Sequence, residues 1–315
     1  MKLKVATCQF PIGSDVRRNL EYVARQIRTA KDRGADVARF PEACLSGYAG
    51  VDLASYEGFD WTLLRECTQE VLDLARELRI WVVLGSAHRL TAPHKPHNSL
   101  YVIDDRGSIV DRYDKMFCAG DRSEETGDLA HYSPGNHFSV FSIKGRRCGA
   151  LICHDYRYPE PYREYKRGDV QLVFHSYHAG NIPPGRFEAM RDGVGERFQR
   201  LNPGSTIPGI TMPATMVAEA ANNHVWISCP NSSARESLWP SFFVRPDGVV
   251  TGRLRRHTTG VLVSEVDTEE QIYDSTVDWR GLAMDGVLHS GSPVHDECSD
   301  ERTRLWPRPA KTVEE

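Results

Sequence analysis

The feature that most constrains this chain is an alternation of short apolar runs with amphipathic stretches, begun at the first residues and kept through most of the length. LKVATCQF reads as a strand. Ser14 and Asp15 can cap a helix reaching about Arg33, with Leu20, Val23, Ile27 and Ala30 near one face. Gly34 ends that helix, and ADVARFPE is the next strand, stopped by Pro41. Residues 61–79 show helical spacing through Leu64, Cys67, Val71, Leu74, Ala75 and Leu78, and IWVVLGS follows as a buried strand. NSLYVIDD and SIVDRYDK flank Asp105, Arg106 and Gly107, a hairpin signal. The middle repeats this logic: strands HFSVFSI and RRCGALICHD, a helix opened by Pro159 and reaching about Arg167, then strand VQLVFHS. A helix over about 213–223, the strand HVWISCP and a hairpin through Pro246-Asp247-Gly248 finish the pattern.

This order predicts one α/β sandwich with helices on its sheet faces. No internal repeat or linker is visible. The expected domain is 1–285, interrupted at about 181–212 by a Pro/Gly-rich segment with a short helix inside, and followed by a tail over 286–315 that lacks periodicity. A loop that long is more often a lid or a partner surface than an accident.

Composition narrows the function classes. Lys and Arg number 39 against 43 Asp and Glu, for a net charge of −4, and a nucleic-acid protein would show a basic excess. No run approaches the length needed to cross a bilayer, and MKLKVATCQF lacks the apolar stretch of a signal peptide, so a cytoplasmic enzyme without membrane contact is expected. Eight cysteines occur at irregular spacing with no CxxC, which favours reduced thiols packed as small hydrophobes.

One cysteine stands apart. Cys153 ends the apolar run in GALICHDYRYPE just before a helix, where free backbone N–H groups and the positive helix end favour a thiolate; the alternative is a buried strand cysteine. Glu42, directly after Pro41, and Lys115, in DRYDKMFC, also sit at strand ends, and either alone reads as a solvated charge. Together a thiol, a carboxylate and an ammonium make a covalent catalyst: attack, proton acceptance and oxyanion stabilisation. His88, His94 and His97, and His175 with His178, suggest no metal, because HxxH in a Pro-rich loop is usually just a loop and no cysteine sits at zinc spacing. His175 and His178 follow a strand expected to end near Cys153, which makes them candidates to line a pocket. GxSxG, Walker and GxGxxG motifs are absent.

FPEACLSGY, YDKMFC and CHDYRYPE resemble the three signature segments of the nitrilase, or carbon–nitrogen hydrolase, superfamily, in its Glu, Lys, Cys order. HYSPGN, HVWISCPN and SFFVRPDGVV resemble its later landmarks, and the resemblance covers about residues 3–267. It implies an αββα sandwich whose four layers arise when two subunits pack their sheet-backed helices, a homodimer or higher homo-oligomer, and thiol hydrolysis of a non-peptide C–N bond with no metal or organic cofactor. By the same resemblance Cys153 attacks, Glu42 takes its proton, and Lys115 with the His154 backbone N–H holds the oxyanion. The family's second glutamate falls in register with Asp128, a departure that leaves Glu125 and Glu124 as shifted candidates. Glu219 and Asn222 stand near positions where many members carry an Arg-Ala pair and a later Glu, which points to altered helix anchoring or assembly contacts rather than lost catalysis.

Cys-x-Asp-x-Arg-x-Pro-Glu looks like the amidase, ω-amidase and carbamoylase branches rather than the true nitrilases, which tend to carry Trp-Glu after the cysteine. Arg157 is then a candidate to bind a substrate carboxylate, or else an ion-pair partner of Glu160. Tyr48 and His178 are further substrate-binding candidates. The expected activity is hydrolysis of a small amide or N-carbamoyl compound bearing a carboxylate. The rivals are a true nitrilase, a catalytically silent scaffold, and acyl transfer from the same thioester.

Overall fold

The structure, a computed structural model, describes residues 2–300, 302 and 303. Its strands are β1 (Leu3–Gln9), β2 (Val37–Arg39), β3 (Trp81–His88), β4 (His97–Ile103), β5 (Ile109–Asp114), β6 (Val140–Ile143), β7 (Arg146–Ile152), β8 (Leu172–Ser176), β9 (Trp226–Cys229), β10 (Phe242–Val244), β11 (Val250–Arg253) and β12 (Gly260–Val266). They form two six-stranded sheets, ordered β12-β1-β2-β3-β4-β5 and β11-β10-β9-β8-β7-β6. In the first sheet β1, β2 and β3 run parallel, and in the second β7, β8 and β9 do; the flanking strands are antiparallel.

Helices α1 (Val16–Asp32) and α2 (Trp61–Leu78) cover the outer face of the first sheet. Asp15 begins α1 by accepting the Arg18 N–H at 3.0 Å, a cap worth about 1 kcal/mol. The apolar stripe Leu20, Val23, Ile27 and Ala30 is buried as the periodicity predicts. Helices α3 (Glu160–Arg167) and α6 (Ile207–Asn223) cover the second sheet, with Tyr162, Tyr165, Met212 and Met216 turned inward. Between the sheets, Val5, Val83 and Val102 pack in one cluster with Ile152, Leu172 and Phe174. Each such side chain contributes about 1.5–3 kcal/mol of burial.

Three expectations change. All four layers lie in one chain, so no second subunit is needed to make them. Strand β12, beyond the sequence pattern, pairs with β1 along its whole length from Leu3↔Val266 to Gln9↔Gly260; its GVLVSEV follows the hairpin at Pro246-Asp247-Gly248, where the periodic pattern stops. Segment 181–212 holds two helices, α4 (Pro184–Asp192) and α5 (Glu196–Gln199), and α6 starts within it at Ile207 rather than near 213. Thr206 caps α6 by accepting the Gly209 N–H at 3.1 Å, and Pro213 sits inside the helix, where the sequence suggested a start.

The compact unit runs Met1–Asp274, where the sequence placed its boundary near 285. A second unit begins at Ser275 and holds, among the described residues, the short helices α7 (Arg280–Met284) and α8 (Glu297–Asp300). Of the expected tail, residues 301 and 304–315 lie outside the described residues. No helix among the described residues is long and apolar enough to cross a membrane.

Candidate active site

Glu42 is placed by the stop at Pro41 and by a glycine on the neighbouring strand. A Cβ at Gly85 of β3 would lie 2.1 Å from the Pro41 carbonyl oxygen and 2.8 Å from the Ala43 nitrogen, so only glycine lets the chain turn there. The Glu42 side chain is fully buried, at 0% exposure, and its carboxylate is filled from three sides. Oε1 accepts from Lys115 Nζ at 2.9 Å and Asn98 Nδ2 at 2.8 Å; Oε2 accepts the backbone N–H of His178 at 2.9 Å. A buried carboxylate is tolerable only with such partners.

Lys115 follows β5 and is 1% exposed. Its ammonium also meets Asp128 Oδ2 at 2.7 Å, and the Tyr48 hydroxyl lies 3.4 Å away. Burial alone would lower its pKa, but Asp128 and Glu42 raise it well above the usual lysine value. Burial pushes Asp128 the opposite way, and Lys115 overrides it, leaving the carboxyl below its ordinary range. Asp128 also accepts the Ala119 N–H at 2.9 Å and the Tyr48 hydroxyl. Of the three carboxylates in register, Asp128 meets the lysine, while Glu124 and Glu125 are exposed. Tyr48 is buried, with its hydroxyl donating to Asp128, so it lies among the charged groups rather than on an open binding wall.

Cys153 leaves β7 at the first residue of a 3-10 turn, Cys153–Arg157, with φ at +42°, a left-handed conformation costly for any residue with a Cβ. Asp155 holds this turn. Its Oδ2 accepts from Ile152 N–H at 2.8 Å and the Tyr113 hydroxyl at 2.7 Å, and its Oδ1 from Phe117 N–H at 2.8 Å. The last two come from the β5 side, so one carboxylate pins the cysteine turn to the lysine segment. Burial pushes Asp155 up to about 6.

The helix start beside Cys153 favours a thiolate, and burial outweighs it. Burial first, then the Glu42 charge, raise the Cys153 thiol well above its usual pKa, against the pull of Lys115. At rest Cys153 is a protonated thiol beside the Glu42 charge.

Around this core, His154 is half-buried and Arg157 is exposed, its guanidinium 4.7 Å from the Tyr156 ring and in no ion pair with Glu160. His178 is buried, with Nε2 2.7 Å from Asp52 Oδ2. Its pKa, lowered by burial and raised more by Asp52, ends above the usual imidazole value. His175 is also buried, and points to the Cys153 carbonyl rather than to an open wall. Glu219 lies on α6, pushed up to about 7 by burial and bonded to Asn223 Nδ2 at 2.8 Å. Sequence reasoning passed over Asn98, Asp52, Asp155 and Gly85 as site-forming residues. Asp155 had a signal, its fixed place two residues past the cysteine; the others act through partners distant in sequence.

A buried carboxylate, a buried ammonium and the Cys153 thiol thus converge from three strand ends. A carbon–nitrogen hydrolase family model matches residues 4–272, and the chain belongs to that family. Among curated relatives, it is 29% identical over 187 residues to a glutamine-dependent NAD(+) synthetase of Xylella fastidiosa, covering 55% of this chain and 31% of that protein. It is 26% identical over 281 residues to omega-amidase NIT2-A of Xenopus laevis, covering 85% and 90%. The chain thus spans about a third of the synthetase but most of the omega-amidase. The fold is shared with a Nesterenkonia amidase at TM-score 0.67 and 20% identity, covering 91% of this chain and 96% of that one.

Proposed function

We propose that this chain is a thiol-dependent amidase that hydrolyses the non-peptide C–N bond of a small linear amide or N-carbamoyl compound bearing a carboxylate. The observation that carries this reading is the single Glu42 carboxylate, bonded to Lys115 and facing the protonated Cys153 thiol. The Cys153 sulfur bonds to the carbonyl carbon as its proton passes to Glu42. Lys115 and the His154 N–H stabilise the oxyanion, a contribution of several kcal/mol. As the C–N bond breaks, Glu42 returns the proton to the leaving ammonia or amine. Glu42 then takes a proton from water, whose hydroxide adds to the thioester, and the departing thiolate recovers that proton. Asp128 and Tyr48 keep Lys115 charged and aimed.

Two considerations support the substrate class. Arg157 is an exposed guanidinium without a carboxylate partner close to the cysteine in sequence, suited to bidentate capture of an acid. The omega-amidase relative and the Nesterenkonia amidase both act on amides by name, and a variant of the latter carries the acetamide moiety of fluoroacetamide on its active-site cysteine. The test is ammonia release from neutral amides, ω-amide acids, N-carbamoyl amino acids and nitriles, with mass spectrometry for an acyl adduct on Cys153. Release from the acidic amides supports the proposal. Release from nitriles alone would make the chain a nitrilase, and no release with no adduct would leave a scaffold. Arg157→Lys should raise KM for the acidic substrates far more than for neutral amides.

A further inference from the structure

Something must hold Cys153 in its left-handed conformation, because the intrinsic preference of the backbone is against it. His175 on β8 lies in register with Leu151 of β7, two residues before the nucleophile. Its Nε2 is 3.2 Å from the Cys153 carbonyl oxygen. A carbonyl only accepts, so Nε2 carries the proton, and Nδ1 is left to accept the Tyr162 hydroxyl at 2.5 Å. The ring is also stacked on Tyr177, with centroids 4.5 Å apart. Burial, helped by the nearby Arg39 guanidinium, holds the imidazole pKa well below its usual value, so it stays neutral in this one tautomer.

The Cys153 carbonyl and the His154 N–H belong to one rigid trans peptide and point from opposite edges of it. A hydrogen bond that captures the carbonyl therefore sets the direction of the N–H. We propose that His175, locked by Tyr162, is a positioning residue that aims the His154 N–H at the developing oxyanion. The inference rests on the thiol-amidase reading and deepens it: the oxyanion site is held from outside by a histidine that never touches substrate.

The experiment compares two reactions of the same thiol in the full chain. Acylation by p-nitrophenyl acetate, and turnover of propionamide, develop an oxyanion; alkylation by 2-iodoethanol does not. His175→Phe keeps the ring stack and removes the hydrogen bond. It should slow acylation and kcat about 10- to 100-fold, short of the loss of a whole oxyanion donor. KM and the alkylation rate should stay within about threefold of wild type. His175→Gln, which can donate from its amide, should recover much of the loss, and Tyr162→Phe should fall between. Unchanged acylation in His175→Phe, or alkylation falling in parallel, overturns the proposal. Should His175→Phe fail to fold, the same ratio in His175→Gln and Tyr162→Phe decides: equal loss in both reactions overturns it. If wild type releases no ammonia from any amide of the panel above and forms no Cys153 adduct, the amidase reading itself fails, and that outcome is separate from a wild type that acylates and a variant that acylates equally well.

Discussion

The two sheets are near-repeats of one another in everything but chemistry. Read as β12-β1-β2-β3-β4-β5 and β6-β7-β8-β9-β10-β11, each has an antiparallel edge, three parallel strands and an antiparallel pair. The first supplies the charges, Glu42 and Lys115, with Asp128 from the loop beyond β5. The second supplies the thiol and a neutral, aromatic support of Tyr162, His175 and Tyr177. They meet along their middle strands. Arg39 of β2 reaches Ser176 Oγ of β8 at 3.1 Å and Ser228 of β9, Ser176 returns a bond to the Phe40 carbonyl at 2.8 Å, and Glu42 N–H donates to the Tyr177 carbonyl at 3.2 Å. Neither sheet holds a reactive centre alone. The division sets two carboxylates around one ammonium on one side, while the thiol on the other stays protonated.

Removing the Cys153 thiol from the second half should have the largest effect. Cys153→Ala should lose at least about 10⁴-fold in kcat while melting near the wild-type temperature, checked by ammonia release and calorimetry. Glu42→Gln, on the charged side, should cost about 10³-fold, and should slow both the formation and the hydrolysis of the Cys153 adduct. If either variant kept wild-type rates, the division of labour would be wrong. Asp128→Asn tests whether the charges act as a set: it leaves Lys115 with Glu42 alone and should reduce kcat about 10- to 100-fold with a small change in KM.

The smallest effect is a pH dependence at the sheet junction. Asp52 raises the folded pKa of His178, so the stabilisation from this pair is fully present below the unfolded imidazole pKa near 6.5 and fades as pH rises through the higher folded value. His178 in turn lowers Asp52 against its burial, so on the acid side the pair weakens only below the ordinary carboxylate range. The melting temperature of wild type should therefore decline across the alkaline limb, by about 2–4 °C per kcal/mol lost. In His178→Gln that part of the decline should vanish. An identical slope in both would show the pair contributes nothing.

Much of this arrangement is legible in the sequence, and the reasons are local. Leu20, Val23, Ile27 and Ala30 announce α1 by period, and Pro41, Lys115 and Cys153 mark strand ends because apolar runs stop there. What escaped is carried by distance. β12 pairs with a strand more than two hundred and fifty positions away, and α6 begins among prolines because Thr206 caps it, not because of its periodicity. The topological repeat leaves no trace in residue identity. The helix start beside Cys153 suggests a positive field, whereas burial and the Glu42 charge dominate and keep the thiol protonated. Gly85 is the sharpest instance: an ordinary strand glycine in sequence, it is the only residue whose lack of a Cβ admits the Glu42 turn among those positions of β3 that face it.

The pairing of β1 with β12 has a consequence for biosynthesis. Strand β1 is made long before its partner, which is among the last parts of the compact unit to be made, so until then its edge is open and the charged half of the site stands on an unfinished sheet. Folding of that half is thus coupled to completion of the whole unit. Because Leu3 and Val266 end up side by side, the unit is closed in space as a ring is, and joining those strands while opening the chain at an exposed turn such as Asp105–Gly107 would make a circular permutant that synthesises β12 and β1 together.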